Sequence, residues 1–198
     1  MRRSVIAVAV VALALLPALV VLQGDAQQAT PVAGTPDDGV IPGLFTFDVP
    51  SREHEAGHID YPQSPPVGGP HNPVFQNCGF YDQPVGNEHA VHSLEHGAVW
   101  ITYRPDLPAD QIATLRDLAA QQDYLLVSPY PGLPAPIVAS AWGTQLWLDT
   151  AADPRLGQFI ELYAGNGPEL GGPCAGGTSE TFPLATPATG SPEATPAA

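Results

Sequence analysis

Proline and glycine crowd residues 50–90, with Pro65-Pro66, Gly68-Gly69-Pro70 and Pro73 among them, and that density argues for a long loop rather than a helix. A loop of this length is functional or disordered as a rule. Tyr61, Phe75, Phe80 and Tyr81 give this one apolar surface to pack, so it is expected to be ordered. The regular core must then come from the residues after 90.

Ala98 to Tyr103 alternates Trp100 against Val99 and Ile101 and reads as a strand buried on both faces. A helix is predicted from Leu107 to Gln121, capped by Asp106, with Pro108 in its first turn and Ile112, Leu115, Leu118 and Ala119 in one stripe. Tyr124 to Ser128 is a second strand, and Pro136 to Asp149 an extended segment broken or bulged at Gly143. The last helix has Asp153 as cap and Pro154 at its first position. It buries Leu156, Phe159, Ile160 and Tyr163, and Gly165-Asn166-Gly167-Pro168 stops it. The order strand, helix, strand, strand, helix suits an α+β two-layer sandwich of ferredoxin-like type, with helices on one face of a mainly antiparallel sheet.

Arg2 and Arg3 followed by an apolar run from Val5 to Leu22 give residues 1–26 the form of an export signal, cleaved after Ala26 or kept as a membrane anchor. Residues 27–41 and 177–198 share an A-T-P-x-x-G-[TS]-P texture (29–36 and 185–192) and read as a flexible linker and a disordered tail. That leaves 42–176 for a single domain outside the cytoplasm. The chain has no lysine, only six arginines and a formal net charge of -14, which argues against nucleic acid as a partner and favours cations. In an oxidising compartment Cys78 and Cys174, the only two cysteines, are expected to be bonded to each other.

All six histidines, His54, His58, His71, His89, His92 and His96, fall in the loop and the short stretch after it. Imidazoles converging from one segment are how a histidine-ligated metal site is built. If 88–96 is a helix, capped by Asn87 and ended by Gly97, then His89, His92 and His96 share a face; if it is extended, His92 and His96 do. Both geometries keep His92 and His96 together. His71, after the rigid Pro70, and His58, after Gly57, complete a candidate ligand set by elimination. His54, beside the linker, is expected to be an ordinary hydrogen-bonded loop residue.

His92-Ser93-Leu94-Glu95-His96 also has the H-x-x-E-H form of inverted-motif zinc peptidases, in which the carboxylate activates a bound water. A third ligand would have to come from Glu161 or Glu169. The short helix and small domain count against that reading.

The segments Gly57-His58-Ile59-Asp60-Tyr61, Pro65 to His71, Gly79-Phe80-Tyr81, His92 to Trp100 and Ala141-Trp142-Gly143 together resemble a bacterial family of exported or membrane-anchored proteins, domain-of-unknown-function family three-one-zero-five. The resemblance implies export and a shared fold over about 54–175, and marks His58, His71, His92, Glu95 and His96; it implies no reaction. The leading expectation is an extracytoplasmic domain binding zinc or copper(II) through His58, His71, His92 and His96, with Glu95 supporting the ligands and no catalytic residue assigned. The alternatives are a metal-dependent envelope hydrolase with Glu95 as general base, and an envelope interaction or scaffold module whose histidines only brace the loop.

Overall fold

The computed structural model describes residues 35–37 and 41–184. The leader at 1–26 and the tail from 185 lie outside them, as does most of the linker.

The fold is mixed α+β. Its strands are β1 (Thr35–Asp37), β2 (Leu44–Thr46), β3 (Gly79–Phe80), β4 (Val99–Tyr103), β5 (Leu125–Pro129), β6 (Ile137–Ala141) and β7 (Thr144–Leu148). Its helices are α1 (Asn87–Glu95), α2 (Ala109–Gln121) and α3 (Pro154–Tyr163). The strands form one sheet in the order β1-β2-β7-β6-β4-β5-β3. β4 pairs with β5 in parallel and with β6 antiparallel, so it lies inside the sheet, and every residue in it is buried.

The side-chain alternation of β4 divides the core. Val99, Ile101 and Tyr103 face a large cluster closed by Leu115 of α2 and by Leu156, Phe159 and Ile160 of α3. Trp100 faces the other way, onto Leu126 and onto Ala90 and Leu94 of α1, and its indole N–H donates to Ser128 Oγ at 3.0 Å. The two longer helices thus share one face, as expected, and α1 covers the opposite one. Nothing in the apolar pattern of 98–164 foretells that second cover, because it comes from the segment before β4.

The observed order after α1 departs from the expected one. Residues 136–149 form two strands rather than one, with Ala141 opposite Thr144 and the corner made by Trp142 and by Gly143 at φ +71°. Gly143 also donates to Val67 O and accepts from Phe47 N, both at 2.8 Å, so the turn anchors two distant segments. α2 begins at Ala109 with Pro108 as its N-cap and no side-chain cap, not at Leu107 under Asp106. The reason is a separate turn before it, in which Leu107 N–H donates to Arg104 O. α3 matches its reading: Asp153 accepts from Arg155 N–H at 2.9 Å and Pro154 opens the helix.

The C-terminal strap stays bonded past 176. Thr178 and Phe182 donate their N–H groups to Phe75 O and Pro84 O, and Leu184 N–H donates to Gln83 Oε1, so residues 177–184 run beside 75–84. In the same way residues 35–37 of the expected linker form β1. Cys78 and Cys174 are disulfide-bonded, which is consistent with a location outside the cytoplasm. Among the described residues no helix is long and apolar enough to cross a membrane.

Candidate metal centre

α1 carries the densest part of the site. Gly86 leads into it with an extended backbone, and Gly97 at φ +97° ends it after His96. A side chain on Gly97 would put Cβ 2.7 Å from Gly167 N, a backbone atom that cannot give way, so the C-terminal end of α1 lies hard against the strap. There Gly165 N–H donates to Gly97 O at 2.8 Å and Glu169 N–H to Glu95 O at 2.9 Å. One side of the helix is apolar and seated on Trp100, which turns His92 and Glu95, three residues apart, outward together.

The loop delivers His71 to the same place. Pro70 O accepts the Tyr61 hydroxyl at 2.7 Å, and the His71 backbone forms a parallel bridge with His54 through Glu55 N–H to His71 O (2.7 Å) and His71 N–H to Glu53 O (3.0 Å). Burial, with Glu88 and then Glu55 adding to it, pushes the Tyr61 pKa above its ordinary value, so the hydroxyl remains a donor.

Four residues converge. His54, His71, His92 and Glu95 each offer one donor atom, and the four atoms lie within 4.8 Å of one another. The rings of His54, His71 and His92 form a triangle with centroids 4.8 to 5.0 Å apart. Donors of one tetrahedral ion, with bonds near 2.0 to 2.1 Å, stand about 3.3 Å apart. His71 Nε2 and Glu95 Oε2 are already 3.0 Å apart and His54 Nε2 is 4.0 Å from the same oxygen. The His54 side chain is 51% exposed, whereas those of His71 and Glu95 are buried.

The hydrogen bonds fix which ring nitrogens are free. His71 Nδ1 is 2.8 Å from Gly69 O and His92 Nδ1 is 2.7 Å from Asn72 O. A carbonyl only accepts, so each Nδ1 carries a proton, which leaves Nε2 as the nitrogen through which either ring could bind an ion. Metal-ligating histidines use this arrangement.

His71 Nε2 is the most informative atom. It is buried and makes no hydrogen bond, although Glu95 Oε2 lies only 3.0 Å away. A ring nitrogen and a carboxylate oxygen that meet this closely without hydrogen-bond alignment are placed to act as a pair of donors to a cation between them.

Burial pulls the His92 pKa from 6.5 down to about 4; the bond to Asn72 opposes the fall, and His96, His71 and His54 add to it. His92 is therefore neutral at pH 7. Unfolded His92 binds its proton near 6.5, so between that value and about 4 the unfolded chain holds more protons than the folded one. In chelator this contribution to stability should be whole above about pH 6.5 and decline as the pH falls towards about 4. Thermal melts across that window, compared with His92→Gln, would show it as a steeper acid loss in the wild type.

The other expected ligands lie elsewhere. His58 is 79% exposed, with Nδ1 3.1 Å from Glu88 Oε1 and Nε2 3.4 Å from Asp60 Oδ1, and it is not in the group. His96 touches the His92 ring edge-on at 4.5 Å, but its Nδ1 is 2.7 Å from Pro173 O and its Nε2 faces Glu169 at 3.8 Å. His89 points its Nδ1 at Val74 O. Glu161 lines a cavity of about 590 Å³ between α2 and α3, which none of the four clustered residues touches. The sequence reading left His54 out of this group and set Glu95 behind the histidines, whereas the structure places donor atoms of both within 4.8 Å of those of His71 and His92. The i, i+3 spacing of His92 and Glu95 was the available signal for the second.

Three imidazoles and one carboxylate gathered beside a buried helix make this a mixed α+β domain with a candidate metal centre, and its one disulfide is consistent with a location outside the cytoplasm. The chain belongs to the family described as protein of unknown function (DUF3105), which matches residues 53–176. No curated protein and no solved structure matches it.

Proposed function

We propose that this domain binds a divalent transition metal through His54, His71, His92 and Glu95, outside the cytoplasm. The carrying observation is His71 Nε2, a fully buried nitrogen with no hydrogen-bond partner that lies 3.0 Å from a carboxylate oxygen. Three borderline nitrogen donors and one hard oxygen suit zinc or copper(II). A bracing role calls for a protein partner at that nitrogen, such as the carbonyl that Nδ1 has, and none is present among the described residues. The hydrolase reading needs Glu95 to stand off the ion as a free base, whereas here Glu95 is one of the converging donors, which favours holding an ion over turning over a substrate.

The test is metal content after equilibrium dialysis against zinc and, separately, copper(II). Wild type and His58→Ala should each retain about one equivalent, and His54→Ala should bind at least about tenfold more weakly. Absence of metal from the wild type under both conditions overturns the reading.

A further inference from the structure

Glu95 meets a second cation from the same short stretch that supplies His54. Its Oε1 lies 3.7 Å from Arg52 Nη1, while its Oε2 faces His71 and His54. The Glu95 side chain is 7% exposed and the Arg52 side chain 53%, so Arg52 reaches in from solvent over a buried anion. Its other polar contact, from Nη1 to Pro168 O, is long at 3.5 Å. The backbone bridge at 53–55 and 71 holds the segment without help from this side chain.

A carboxylate this buried needs a counter-charge, and the Arg52 guanidinium stands 3.7 Å from its Oε1. A guanidinium always carries its charge. We propose that Arg52 is a built-in competitor of the ion, compensating Glu95 when no metal is bound and weakening the site when metal enters; this rests on the metal reading of the same site. With an ion on Oε2, two cations flank one carboxylate. Arg52 then draws electron density toward Oε1, makes Oε2 a poorer donor and repels the ion directly. It touches no ion and acts through Glu95, as a positioning residue that makes this a site for exchangeable rather than permanently held metal.

The sign of the effect separates this role from simple bracing. In the full chain, zinc affinity is measured by competition with a chromophoric chelator, and release by stopped flow. Arg52→Gln should bind zinc about tenfold more tightly, an estimate reduced from the bare Coulomb figure because Arg52 is half exposed, and should release it correspondingly more slowly. The same variant in chelator should melt at a lower temperature than wild type, because Glu95 has lost its counter-charge. Arg52→Lys, which keeps the charge, should behave like wild type in both measurements. If Arg52 merely braces the segment, Arg52→Gln binds zinc more weakly; weaker or unchanged affinity in that variant overturns the proposal. Should neither wild type nor variant bind zinc, the metal reading itself falls and takes this one with it.

Discussion

Saturating zinc should raise the melting temperature of the wild type by about 8 to 16 °C over its value in chelator, and should not move that of a His71→Ala/His92→Ala variant. A ligand present at a thousand times its dissociation constant stabilises the state that binds it by about 4 kcal/mol. For a chain of this size each kcal/mol shifts the midpoint by about 2 to 4 °C. Both imidazoles belong to the converging group, and both have Nδ1 committed to a carbonyl, so alanine at the two positions removes two prearranged donors at once.

His71 is fully buried, so the variant also leaves a cavity and will melt lower in chelator. The diagnostic quantity is therefore the difference between zinc and chelator within each protein. His58→Ala should keep the whole difference, since His58 lies on the surface against Glu88 and Asp60. A zinc-dependent shift that survives in the double variant would place the ion elsewhere.

The parts of this fold that are legible in the sequence are those specified locally. α3 is readable because Asp153, Pro154 and the apolar stripe act within a few residues of one another, and β4 because a strand buried on both faces must be apolar throughout. The hairpin of β6 and β7 reads as one segment. Its corner rests on Gly143, whose partners Val67 and Phe47 are distant in sequence and leave no periodic trace.

The site divides in the same way. His92 is legible as a candidate because helix and strand geometry both keep it in play, and α1 then places Glu95 beside it. His54 is discounted by its closeness to a compositional linker. What brings it in is a backbone bridge to His71, a contact between two loop segments for which no spacing rule exists. His58 enters by elimination and is lost to competition, because Glu88 Oε1 bonds its ring and also accepts Ile59 N–H at 3.0 Å.

Reducing the Cys78–Cys174 bond should lower the melting temperature by about 8 to 20 °C. The two cysteines are 96 residues apart, and in the chain-entropy model closing a loop of that length stabilises the fold by about 4 to 5 kcal/mol. The bond ties the loop before β3 to the strap after α3, and beside it Cys78 N–H donates to Cys174 O at 2.8 Å. The strap supports more than itself. Pro173 O holds the His96 ring, Tyr124 donates its hydroxyl to Gly172 O, and any side chain at 172 would strike the His96 ring. Loss of the bond should therefore loosen residues 165–184 first and the C-terminal end of α1 with them, where Glu95 sits. Hydrogen exchange on reduced protein, or on Cys78→Ser/Cys174→Ser, would show protection lost there before the sheet around β4. An unchanged melting temperature with two free thiols titratable would mean that the strap's hydrogen bonds alone hold it, and that the disulfide adds little to the native state.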